Sequence, residues 1–314
     1  MANAPINFAE YARADWQALT TPVAERTTEL VTPHVLQNIK AFNDEVSMAD
    51  VFEVYKPLVD YLLLRKAQYD RNRTERLTFL NHVKTPAPFV IGIAGPVAVG
   101  KSTTARLLQF MLQAEFGEEQ VALTTTDGFL LSNAELQARG IMQRKGFPES
   151  YDMRGMLDFM DTVKDGTTDI RSPKYSHDIS DVVADEFDVF ERPEIFIIEG
   201  INTLQATVDS PVYLSDFFDV SIYVDADTKL IEEWYLERFR ALLRQTKQKN
   251  DTTNFFWSWT QVPITEAESM AHDVWQTVNL VNLEEYILPT RERADIVLHK
   301  AKHHEISDVW LRKF

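Results

Sequence analysis

The stretch FVIGIAGPVAVGKSTTARLL, residues 89–108, decides the fold. Its first six residues, 89–94, form an apolar run of the length expected for a strand buried on both faces. Gly95-x4-Gly100-Lys101-Ser102 follows at once, and 101–115 reads as an amphipathic helix. A glycine-rich turn between strand and helix lets backbone N–H groups close around phosphate oxygens. Gly95, Pro96, Val97, Ala98, Val99, Gly100, Lys101, Ser102 and Thr103 are therefore the expected phosphate-binding stretch. Lys101 would reach the outer phosphates, and the Ser102 hydroxyl would ligate Mg²⁺. The positive end of the following helix points at the same anion.

Outward from this stretch, further apolar runs alternate with amphipathic ones. Strands are expected at 121–126, 194–198, 220–224 and 296–299, and helices at 133–139, 154–164, 227–245 and 265–286. The alternation predicts an α/β fold: a three-layer, mostly parallel sheet of the P-loop NTPase type with helices on both faces. Residues 1–86 read as an added N-terminal helical region, packed on a compact domain spanning 87–314. Within it Ser47-Met-Ala-Asp50 has the form of a capping box, and Pro57 is an expected break.

The 314 residues carry a formal net charge of −16 and no cysteine. A surface this acidic repels polyanions, so nucleic acid is not an expected partner. Disulfides, zinc–thiolate sites and cysteine nucleophiles are excluded. No apolar run approaches the ~20 residues of a membrane span, and the N-terminus lacks the apolar core of a signal peptide. A cytoplasmic enzyme is the expectation.

Two acids fall at expected strand ends, where ligands sit in open α/β sheets. Asp127, in TTTDGF, is placed to take a proton from an attacking hydroxyl, although Asp-Gly is also an ordinary turn. Glu199, in IFIIEG, is placed to bind Mg²⁺ through water or to hold Ser102. Arg238 interrupts the apolar face formed by Tyr235, Phe239 and Leu242, and a guanidinium there suits a transferring phosphoryl group. Residues 244–262, RQTKQKNDTTNFFWSWTQV, read as a lid or an apolar groove wall. Asp152-Met-Arg-Gly155 spells a GTPase-like D-x-x-G, but it follows no strand and no base-reading N-K-x-D is present, so it reads as chance.

The runs GPVAVGKSTTAR, TTTDGF, KGFPESYDM, PKYSHDI, IIEGIN, SIYVDA, WYLERF and ILPTRERADIVL together closely resemble the type I bacterial pantothenate kinases. The resemblance runs from about Asn43 to the C-terminus, and GFPESYD and LPTRERA discriminate far better than the P-loop. It implies phosphorylation of the primary hydroxyl of pantothenate by MgATP in a cytosolic homodimer, with coenzyme A as a competing inhibitor. It also implies that Asp127 is the base and that Tyr175, His177, Tyr235 and Asn279 hold pantothenate. Asn43, Lys300 and His304 would flank the adenine, Arg106 would meet coenzyme A, and Phe239, Phe256 and Trp259 would line its pantetheine groove. Asn279 is preferred to Asn282 because the family's first Asn precedes two apolar residues. Segment 240–259 departs from the family pattern, being polar where the family is apolar. The alternatives are a uridine kinase-like enzyme and a non-enzymatic nucleotide switch.

Overall fold

The computed structural model describes residues 4–19, 29–40, 44–82, 87–206 and 211–314. Its centre is a seven-stranded sheet in the order β1-β9-β8-β7-β2-β6-β3. The strands are β1 Phe8–Ala12, β2 Phe89–Ala94, β3 Val121–Thr125, β6 Ile195–Glu199, β7 Val220–Ala226, β8 Ile296–Lys300 and β9 Ile306–Arg312. β8, β7, β2, β6 and β3 run parallel, while β9 and β1 add an antiparallel edge. β2 and β7 are buried along their whole length, which explains their uninterrupted apolar reading. A separate antiparallel ribbon, β4 Ile170–Ser176 and β5 Asp181–Phe190, stands beside β3.

The five predicted parallel strands are present, each within two residues of its expected ends. The N-terminal region departs from the all-helical expectation. FAEYA forms β1, pairing with β9 from Phe8↔Arg312 to Ala12↔Asp308. It is the edge strand, and the unpredicted β9 lies next to it, between β1 and β8. Pro57 does not break its helix. The capping box at Ser47 opens Met48–Asp50, a π-turn at Val51–Tyr55 follows, and Lys56–Phe79 continues with Pro57 in its first turn. A proline there lacks an N–H whose usual partner the π-turn has already shifted. The expected helix 265–286 starts as Ile264–Val274 and then passes through π-turns at Trp275–Asn279 and Leu283–Ile287. Asp152 caps the helix Met153–Lys164 by accepting from the Gly155 N–H at 2.9 Å. That bond accounts for the D-x-x-G spelling.

One cluster spanning β7 and β8 is expected to make stability pH-dependent. The buried Asp225 carboxylate accepts from Arg291 at 2.8 Å and lies 3.1 Å from His299 Nδ1. The bond to Asp225 raises the His299 pKa above 6.5 against the opposing effect of burial. Folding therefore favours the protonated ring. This stabilisation is complete below about pH 6.5 and is lost as pH rises through the higher folded value. The melting temperature of wild type should exceed that of His299→Gln by more at pH 6 than at pH 8.5. Equal differences at both pH values would contradict this reading.

Candidate active site

The phosphate loop has the backbone its sequence demands. Ala98 and Gly100 adopt positive φ, +61° and +98°, and the helix Lys101–Phe116 begins directly after them. Lys101 is buried, and its Nζ donates to the Pro96 carbonyl at 2.7 Å. Burial lowers its pKa, opposed by the charges of Glu199 and Asp127. The Ser102 hydroxyl donates to Glu199 Oε1 at 2.8 Å, linking loop and β6 as the sequence predicted.

Asp127 lies in the short 3₁₀ turn Thr126–Phe129, immediately after β3, with its N–H on the Thr125 hydroxyl at 3.2 Å. The residue after it must be glycine: a Cβ on Gly128 would stand 2.0 Å from the Pro173 carbonyl of β4. That close approach packs the β4–β5 ribbon against the turn that carries Asp127. Burial pushes the Asp127 pKa up, opposed by Lys101, Arg238 and Lys145. Burial likewise raises Glu199, opposed by Lys101 and reinforced by Asp127. Two acids, a buried lysine and Arg238 thus interact at the carboxyl ends of β3 and β6.

Of the expected acceptor residues, Tyr175 and His177 feel the charges of this group, and Tyr235 and Asn279 pair with each other. Tyr175 on β4 shares a hydrogen bond with Ser180 at 3.2 Å, and burial pushes its pKa up to about 12. His177 presents its ring edge-on to Tyr175 at 5.2 Å, and burial and Arg238 both lower its pKa. Tyr235, raised by burial to about 12, shares a hydrogen bond with Asn279. Asn279 also lines a small cavity with Pro96, Val97, Ile201, Trp275 and Asn282. The buried Asn282 donates to the Gly146 carbonyl at 2.8 Å, so the two asparagines line one cavity but have different hydrogen-bond partners.

The sequence reading gave no role to Lys145 or Tyr151, both inside KGFPESYDM. Lys145 Nζ donates to Asn133 Oδ1 at 2.8 Å and to the Ser180 carbonyl, and it sits 5.6 Å from the Tyr175 ring centre. Burial drives the Tyr151 phenol well above its usual pKa, and the Asp127 charge adds to that. Both names stood in a motif already singled out, but the motif's spacing carried no sign of which side chains turn inward.

Behind the loop lies a second polar group. Lys300 Nζ is 3.3 Å and His304 Nδ1 is 3.0 Å from Asp44 Oδ1, all three buried. His304 stacks on Trp234 with centroids 4.0 Å apart. Burial alone would raise the Asp44 carboxyl, but Lys300 and hydrogen bonds from His304 and Thr103 hold it down at about 2. Asn43, expected here, lies outside the described residues. Arg106 Nε donates to the Ile39 carbonyl at 2.6 Å. Phe239 is packed by Phe256 and Trp259, with centroids 6.1 and 5.2 Å away. The cationic section does not form a loop: the helix Thr228–Lys249 includes it, and the aromatics follow on the 3₁₀ turn Phe255–Gln261.

Known proteins resemble this chain in sequence and in fold. A model of the phosphoribulokinase/uridine kinase family matches residues 90–242. The pantothenate kinase of Streptococcus agalactiae serotype III is 44% identical over 313 residues, covering 100% of both chains. That of Levilactobacillus brevis is 47% identical over 310 residues, covering 99% of each. The solved structure of the YGR205w protein is 15% identical, with a TM-score of 0.53 over 82% of this chain and 99% of that one, a likeness of fold. With a P-loop kinase fold, its reactive groups gathered at the strand ends and identity of this order along its whole length, the chain belongs to the pantothenate kinase family.

Proposed function

We propose that the chain transfers the γ-phosphoryl group of ATP to the primary hydroxyl of pantothenate, giving 4′-phosphopantothenate. The observation that carries this reading is the convergence of Lys101, Asp127, Glu199 and Arg238 on one another, with Tyr175 and His177 feeling the same charges. That convergence occurs in a chain whose relatives of full length are named pantothenate kinases.

Asp127 accepts the hydroxyl proton as the oxygen attacks phosphorus. Its raised pKa makes it a stronger base than an exposed aspartate while Lys101, Arg238 and Lys145 keep the charged form accessible. Lys101 and Arg238 meet the charge that spreads over the phosphoryl oxygens. Tyr175, His177, Tyr235 and Asn279 orient the acceptor. The base end of the nucleotide falls toward Lys300 and His304, with Asn43 before them in sequence.

The residues also fit a magnesium ion. Among the described residues no group of three or more His, Asp or Glu side chains is gathered for a metal. An ion that keeps its waters and rests on phosphates needs only one or two protein oxygens, and Ser102 with Glu199 supplies them. Bound there, magnesium would add positive charge against the phosphate oxygens.

Among the described residues no helix is long and apolar enough to cross a membrane. We place the enzyme in the cytoplasm, as a homodimer. Coenzyme A would compete with ATP, with Arg106 toward its phosphates and Phe239, Phe256 and Trp259 along its pantetheine arm. ADP release measured with pantothenate, uridine and no acceptor tests the reading. Turnover should require pantothenate; turnover with uridine alone would favour a uridine kinase, and nucleotide binding without turnover would favour a switch.

A further inference from the structure

Asp178 and Asn254 stand 76 positions apart in sequence yet meet beside the acceptor residues. Asn254 Nδ2 donates to Asp178 Oδ1 at 3.1 Å, and the Phe255 N–H donates to the Asp178 carbonyl at 2.6 Å. Asn254 Oδ1 accepts from the Phe256 N–H at 2.9 Å and from the Thr246 hydroxyl at 3.2 Å. One side chain therefore ties together the end of the helix Thr228–Lys249, the aromatic turn and the β4–β5 ribbon. On the ribbon, Asp178 directly follows His177, which faces Tyr175. On the other side, Phe256 and Trp259 pack on Phe239, one helical turn beyond Tyr235.

We propose that Asp178 and Asn254 form a latch that fixes the two walls of the acceptor site relative to each other, so that both are positioning residues for acceptor binding. The latch deepens the pantothenate reading and rests on it for the identity of the acceptor.

The test uses Asp178→Ala, Asn254→Asp and the exchanged pair Asp178→Asn with Asn254→Asp, all in the full chain. In Asn254→Asp the new carboxylate still accepts from Phe256, so a role confined to capping leaves this variant unharmed. Its charge faces Asp178, however, so the side-chain bond of the latch is lost and only the backbone bond from Phe255 to Asp178 remains. The exchanged pair restores a donor opposite an acceptor.

Two readouts apply. Trp16, Trp234, Trp275 and Trp310 are buried, so acrylamide quenching of tryptophan reports chiefly on Trp257 and Trp259 in the aromatic turn. Each single variant should raise that quenching about twofold and the KM for pantothenate about fivefold, the loss of roughly one hydrogen bond, with kcat and the KM for ATP within about twofold. The exchanged pair should return both readouts toward wild type. Unchanged quenching in the single variants, an unmoved pantothenate KM, or failure of the exchange to restore either would overturn the latch. A wild-type chain that does not use pantothenate would refute the acceptor reading alone, and the quenching series would still decide whether the two residues hold each other.

Discussion

Replacing Asp127 by asparagine is expected to lower turnover by about 10²–10⁴, the range typical of a lost general base. The side chain keeps its size and its place after β3, but an amide cannot hold the proton that the attacking hydroxyl must lose. Nucleotide binding rests on the loop 95–103 and on Lys101, so the dissociation constant for ATP should stay within about threefold of wild type. Calorimetric titration with nucleotide and an ADP-release assay separate the two effects. Full turnover in Asp127→Asn would show that the base assignment is wrong. Since burial raises this carboxyl above 3.8, the acid limb of the wild-type rate profile should lie above that of an exposed aspartate. The rate falls as pH drops through that value, because only the charged form accepts the proton.

Gly100→Ala is the second large effect. Gly100 has φ +98°, a conformation that costs an L-residue about 1–2 kcal/mol. An added Cβ would also stand 2.4 Å from Lys300 Nζ and 2.5 Å from Asp44 Oδ2. Neither group has free space, since Lys300 is 1% and Asp44 6% exposed. Moving them separates a buried ion pair, and overpacking a tight site typically costs about 1–3 kcal/mol. The sum is a loss of about 2–5 kcal/mol in unfolding free energy, together with a nucleotide affinity reduced by at least about tenfold as the loop's N–H groups turn away. Denaturant unfolding and nucleotide titration of the variant measure both. Wild-type stability with intact ATP binding would show that the loop does not depend on this close contact.

These effects separate what was legible in sequence from what was not. The phosphate loop was legible because its chemistry is local: glycines, a lysine and a hydroxyl at fixed spacing between a strand and a helix. The parallel strands were legible because burial on both faces leaves uninterrupted apolar runs, as in β2. β5 was missed for the opposite reason. DVVADEFDVF is largely exposed, so no apolar face marks it. β1 was missed because five residues at a sheet edge, FAEYA, carry no period that distinguishes strand from helix.

The site shows the same division. Asp127 and Glu199 follow from strand-end placement and Lys101 from the loop motif, and the three influence one another electrostatically. The roles of Tyr175, Tyr235 and Asn279 in holding pantothenate rest on resemblance. Lys145 was missed because its partners, Asn133 and Ser180, come from other segments of the chain. The Asp178–Asn254 pair is equally invisible in sequence, since nothing in either segment names the other.

On this reading the phosphate loop and Asp127 open onto one site that delivers phosphate to a primary alcohol. Mass and phosphorus NMR analysis of the product formed from ATP and pantothenate tests it most directly. The account predicts one phosphomonoester on the primary hydroxyl, formed in equal amount to ADP. ADP accompanied by inorganic phosphate and unchanged pantothenate, or an ester on the secondary hydroxyl, would contradict it.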